Sequence, residues 1–268
     1  MTTPYAPPSA STAQFQKVPS APAALLLFSA VLGANFALSA LFQTWGIDLE
    51  WLLLATPAVL LLLTGLFMVA LRLDPVETLL LRLPVARDFW MAIPLGLSFV
   101  VLSDQLAGLT SHLLPGDLVE KLREVQLDWL SVSSPGEWIL KLATIGLGAA
   151  VSEELLCRGF LQAAFLRRIG PLPAIAATSV LFMLLHILPL PSFLAAGLVL
   201  GISAMASRSI VVPVVVHFLN NTAALVLVNL AGLETLTDPV WVPAKILLPA
   251  ILVFALALAY YWRRLREG

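Results

Sequence analysis

The chain has 268 residues, 60% hydrophobic and 12% charged, with a net charge of −1 and a mean hydropathy of +0.96. Soluble domains are about 25% charged, so this balance excludes an ordinary soluble domain and predicts an all-α polytopic membrane protein. Near-neutral charge gives no basic surface for nucleic acid. The single cysteine, Cys157, excludes a disulfide framework or a Cys-based zinc site within one chain and reads as a small packing residue.

In chain order, residues 1–22 are rich in Pro, Ala, Ser and Thr with one charge, Lys17, and read as a disordered tail rather than a signal peptide. Eight apolar runs follow, at about 23–43, 51–71, 89–109, 138–166, 171–188, 191–207, 210–230 and 244–262. About 20 residues match a 30 Å hydrocarbon core at 1.5 Å per residue. The fourth run is longer and must tilt or project. The fifth and sixth are short and meet at Pro189 and Pro191, a joint expected within the membrane, where it must be buried in protein or line a cavity.

Between the third and fourth runs lies the one sizeable extramembrane stretch, Leu113–Leu130. Leu118, Leu122, Val125 and Trp129 recur at helical spacing, which predicts an amphipathic interfacial helix beginning at Leu118 and capped by Asp117. With the N-terminus inside, ten basic residues fall on the cytoplasmic side: Lys17, Arg72, Arg82, Arg87, Arg167, Arg168, Arg208, Arg263, Arg264 and Arg266. Only Lys121, Arg123, Lys141 and Lys245 fall opposite. This bias predicts both termini in the cytoplasm. The expected organisation is a tail (1–22), N-terminal helices with the amphipathic loop (23–137), a catalytic core (138–230) and a C-terminal helix with a basic tail (231–268).

The fourth run carries Glu153, Glu154 and Arg158. Added on insertion scales, three such charges at the bilayer centre would cost roughly 8–10 kcal/mol, so they mark a functional site. Glu154 and Arg158 are four apart and share a helical face, whereas Glu153 points about 100° away. One carboxylate is then held by a fixed cation and the other is free to exchange a proton. Of three histidines, His112 falls in a loop, while His186 and His217 fall in or at the ends of apolar runs. Asn221 shares a face with His217.

These residues form a hydrolytic kit. Glu153 can take a proton from water, His186 can orient that water, and His217 and Asn221 can donate to the oxygen of a tetrahedral intermediate. The other reading is a zinc site built from Glu153, His186 and His217, with zinc-bound water as nucleophile. Gly146, Gly148, Ala149, Ala150 and Ser152 permit close helix packing before the glutamates. Pro213 falls near the start of the seventh run, where a missing N–H costs least.

Glu153-Glu154-x-x-x-Arg158, Phe182-x-x-x-His186 and His217-x-x-x-Asn221, on successive hydrophobic helices, resemble the CPBP (CAAX protease and bacteriocin-processing) family of intramembrane proteases, which includes the Rce1-type CAAX prenyl endopeptidases. The resemblance covers about residues 138–230. It implies an eight-helix fold around an intramembrane catalytic cavity and peptide-bond hydrolysis on membrane-associated substrates, lipid-modified or C-terminal ones among them. It assigns water activation to Glu153 and His186, with Glu154 beside them, and the oxyanion site to His217 and Asn221. The family is often labelled metallo-, yet the residue set suits a metal-free glutamate mechanism, and no His-Glu-x-x-His pair supplies zinc ligands on one helix.

The expected partners are membrane lipid and a peptide or protein substrate, and the expected location is a bacterial plasma membrane. Two readings from other classes remain. Intramembrane Glu and His also build proton-coupled transporters, which Asp104 could join. A non-catalytic immunity or scaffold protein would bind a peptide in the same cavity. Gly201-Ile202-Ser203-Ala204 only approximates the rhomboid Gly-x-Ser-Gly and reads as a helix-packing stretch.

Overall fold

A computed structural model describes residues 18–186, 191–231 and 242–267. Most of the expected tail, and the joint through Pro189, lie outside the described residues. The fold is all-α: 86% of it is helical, with no strand among the described residues. The helices are α1 (Ala21–Trp45), α2 (Leu49–Ala70), a single turn α3 (Pro75–Thr78), α4 (Ala86–Ser111) and α5 (Gly116–Leu130). A continuous helical run from Pro135 to Ile169 comprises α6 (Pro135–Lys141), a π segment (Leu142–Gly148), α7 (Ala149–Glu154), a second π segment (Leu155–Leu161) and α8 (Gln162–Ile169). Then come α9 (Pro171–Leu185), α10 (Pro191–Ser207), α11 (Val211–Val226) continued by a π turn to Ala231, and α12 (Ala244–Glu267).

Each expected apolar run coincides with one of these helical runs. Five of them, α1, α2, α4, α11 with its extension, and α12, are individually long and apolar enough to cross a membrane. At 15 and 17 residues, α9 and α10 are shorter. The protein is a polytopic integral membrane protein. Pro57, Pro94 and Pro249 lie inside α2, α4 and α12, which apolarity alone did not reveal. Lipid-embedded helices tolerate such prolines because neighbours re-satisfy the freed backbone groups.

Missing side chains set the close helix contacts. A Cβ on Gly96 of α4 would lie 2.8 Å from Leu219 Cδ1 of α11, and one on Gly146 would lie 3.3 Å from the Phe218 ring. Both glycines thus admit α11 to the centre. Gly197 and Gly201 of α10 face α9: their Cβ atoms would lie 2.7 Å from Ser179 Cα and 2.9 Å from Ile175 Cγ2. Opposite them, Arg158 donates to the Gly197 carbonyl at 3.2 Å and Gln162 to the Gly201 carbonyl at 3.3 Å. Ser203 is buried and donates to Leu200 of its own helix at 2.9 Å, as a packing residue does.

Helix α5 starts two residues earlier than expected. Asp117 lies in its first turn and makes no cap; the Pro115 carbonyl instead accepts from Leu118 and Val119 at 3.0 Å each. Proline's fixed φ suits the residue before a helix, which displaces Asp117 inward, where it still faces the positive end of the helix dipole. Only Leu130 of α5 is buried. Its end is fastened by Asn229, which donates to the Leu130 carbonyl and accepts from the Val132 N–H, and by the buried Lys141, which donates to the Ser131 carbonyl. Ser134 caps α6, and Glu137 reaches back to the Ser133 N–H at 3.1 Å. At the other end of the bundle, Tyr260 and Arg264 of α12 both donate to the buried Asp88 of α4.

Candidate active site

Helix α7 is a short α segment between two π segments, and both glutamates sit at its end. Such single-turn expansions recur at functional sites because they re-aim side chains and free backbone carbonyls. Here the freed geometry is used. The Ile145 carbonyl, in the first π segment, accepts from Asn221 Nδ2 of α11 at 2.9 Å.

Glu154 is fully buried and serves two partners through one oxygen. Its Oε1 accepts from Arg158 at 2.8 Å and lies 2.9 Å from His217 Nδ1. The Arg158 pairing is the one expected from the four-residue spacing; the His217 contact, across 63 residues, is not visible in the sequence. The Arg158 guanidinium also stacks on Phe182, 4.4 Å from the ring centroid. The four groups interlock: Phe182 meets His217 edge-on at 5.7 Å and His186 at 4.9 Å.

Glu153 points elsewhere, as the 100° helical step requires. Its side chain is 19% exposed, and its Oε2 lies 3.9 Å from His217 Nε2. That oxygen is buried without a hydrogen-bond partner. The carboxylate is therefore close to His217 but uncommitted, unlike Glu154.

His186 caps the end of α9. Its Nδ1 lies 2.9 Å from the Phe182 carbonyl, and its ring stacks on Phe193 of α10 at 3.8 Å. A carbonyl only accepts, so Nδ1 carries the proton and the neutral ring keeps an acceptor lone pair on Nε2. For His217, a proton on Nδ1 directed at Glu154 fixes the ring, as the carboxylate does in hydrolase triads. When the ring is doubly protonated, Nε2 becomes a donor.

His186, His217, Asn220 and Asn221, with Phe182 and Phe193, wall a cavity of about 30 Å³. That is enough for one water-sized group, which a polar site of this kind can hold with two to four partners. Glu153, Glu154, Arg158, His186, His217 and Asn221 are thus brought together from α7, the second π segment, α9 and α11. His112 is exposed at the end of α4, away from them, as its loop position predicted. Asp104 lies two turns before that end of α4, next to Ser103, and accepts from its neighbour Gln105 at 3.3 Å. Asn220 and Ser103 were not singled out from the sequence, although the i, i+3 relation of Asn220 to His217 was a usable signal.

The zinc set Glu153, His186 and His217 does not assemble as a three-ligand group. Among the described residues, no three His, Cys, Asp or Glu side chains are arranged to hold a metal ion.

Fold and site define a class: an integral membrane protein with a buried cluster of ionisable side chains between its helices. Residues 135–223 match the family model described as type II CAAX prenyl endopeptidase Rce1-like, the family that the three motifs resembled. The matched stretch runs from the start of α6 to Ala223 of α11 and contains every residue of the cluster. No curated protein and no solved structure matches the chain.

Proposed function

We propose that this protein is an intramembrane endopeptidase that hydrolyses peptide bonds of membrane-associated substrates, lipid-modified or C-terminal segments among them, with glutamate-activated water. One observation carries the reading. An uncommitted Glu153 oxygen lies 3.9 Å from His217 Nε2, and His217 in turn walls a water-sized cavity with His186 and Asn221.

Glu153 takes a proton from water, and the His186 Nε2 lone pair orients that water. The hydroxide oxygen adds to the scissile carbonyl carbon. The carbonyl oxygen becomes an oxyanion and receives hydrogen bonds from protonated His217 and from the second N–H of Asn221. Collapse re-forms the carbonyl, breaks the C–N bond and passes the proton from Glu153 to the leaving nitrogen. Glu154 and Arg158 hold His217 in place throughout. The same residues suit this metal-free chemistry because each has a role without a metal ion. The family match favours hydrolysis over the transporter and scaffold readings.

The bias of ten basic residues against four supports cytoplasmic termini with the 110–136 stretch on the far side. The functional test is cleavage by purified protein in detergent of an internally quenched peptide ending in a prenylated CAAX sequence, with elemental analysis of the same sample. Cleavage by protein without stoichiometric zinc, insensitive to chelation, supports the proposal. One tightly bound zinc per chain, with activity lost on removal and restored by zinc, would reassign the histidines as ligands.

A further inference from the structure

We infer that Asn220, tied to α4 by Ser103, supplies a second amide donor to the substrate's carbonyl oxygen beside Asn221. The inference rests on the peptidase reading. Asn220 and Asn221 stand three and four residues beyond His217, so all three share one face of α11. Both asparagines wall the cavity with His186 and His217.

Their amides are committed differently. Asn221 donates one of its two N–H groups to the Ile145 carbonyl at 2.9 Å, so one remains for substrate. Asn220 is held by its oxygen instead: Oδ1 lies 3.0 Å from the Ser103 hydroxyl of α4, a contact across 117 residues. The hydroxyl also lies 3.1 Å from the Val100 carbonyl of its own helix, which anchors it to α4. The single hydroxyl proton is shared between the Val100 carbonyl and Asn220 Oδ1, and in this geometry Oδ1 faces Ser103 while Nδ2 is the other end of the amide. The Nδ2 group is then the free end, and it has no hydrogen-bond partner among the described residues.

Gly96 makes this tie feasible. It removes the side chain that would keep α4 off α11, and Ser103 lies two turns further along the same helix. The pair thus does for Asn220 what Glu154 does for His217: one helix presents the group and a neighbouring one fixes its orientation. An oxyanion that develops between two amides and an imidazolium is stabilised by donors that need no reorganisation at the moment of reaction.

The experiment measures kcat and KM of full-length variants in detergent on the quenched prenylated CAAX peptide. Asn220→Asp keeps the shape and an acceptor for Ser103 but removes the amide donors. It and Asn220→Ala should each lower kcat by about 10- to 100-fold, with KM within about twofold. Ser103 is a positioning residue. Ser103→Ala should lower kcat by less, Ser103→Thr should restore it, and Ser103→Ala combined with Asn220→Ala should be no worse than Asn220→Ala alone. Wild-type kcat in a folded Asn220→Asp protein would overturn the inference, as would losses at Ser103 and Asn220 that simply multiply. A folded wild-type protein that cleaves nothing would instead overturn the peptidase reading, and this inference with it.

Discussion

Glu154 Oε1 lies 2.9 Å from His217 Nδ1, and the same oxygen accepts from Arg158 at 2.8 Å. One carboxylate of the adjacent pair therefore serves structure and orientation, which leaves Glu153 for proton transfer. Hydrogen bonds from a guanidinium and an imidazole to one buried carboxylate oxygen are of the strong, charge-assisted kind.

Removing the cation should be costly. Arg158 is 1% exposed and Glu154 is fully buried. Arg158→Ala leaves the carboxylate with His217 alone and removes the bond to the Gly197 carbonyl. Losing one partner of a buried pair typically costs about 3–5 kcal/mol. Thermal melting in detergent should show a large fall in Tm, and an unchanged Tm would mean that the pair adds nothing to stability.

Helix approach gives a second expectation. Gly197→Ala would drive a Cβ to 2.7 Å from Ser179 Cα, a backbone atom that a side-chain shift cannot relieve. Overpacking of this kind costs about 1–3 kcal/mol. Gly33→Ala in α1 is the control, because nothing lies within 4 Å of its Cβ position. Melting should separate the two, with Gly197→Ala destabilised and Gly33→Ala as stable as wild type or more so.

The start of α6 carries a pH signature outside the membrane. Hydrogen bonds from the Ser133 hydroxyl and N–H, helped by Ser134 and Lys141, hold the Glu137 carboxyl below its ordinary range. A lowered folded value means that the stabilisation is fully present above the unfolded value of about 4.3 and is lost as pH falls through the folded one. Glu137→Gln should therefore reduce Tm at neutral pH and leave it nearly unchanged at pH ~2–3. A constant difference across that range would show that the charge on Glu137 is not what stabilises the cap.

Much of this was legible in the sequence, for definite reasons. A helix must be long and apolar to cross lipid, so the runs announce themselves, and Glu154 with Arg158 follows from helical spacing. Those rules stop at the edge of each helix. The bond from Glu154 to His217 depends on how α7 meets α11, which Gly146 and Gly96 decide through packing. The π segments leave no periodic trace in an all-apolar run, so the Ile145 carbonyl could not be foreseen as the partner of Asn221. Asp before an apolar run is a common cap signal, but Pro115 two residues earlier takes the cap position and places Asp117 inside the helix. Ser134-x-x-Glu137 carries the capping-box signal in the sequence, although Glu137 accepts from the N–H of Ser133 rather than of Ser134.

The most direct measurement of the central claim compares Glu153→Gln with wild type for cleavage of the quenched peptide at matched folding and detergent conditions. Glutamine keeps the shape of Glu153 and cannot accept the proton of water. Cleavage should fall by about 10²–10⁴-fold or more while Tm stays close to wild type. Wild-type turnover by a folded Glu153→Gln protein would contradict the account, because another group would then be activating the water.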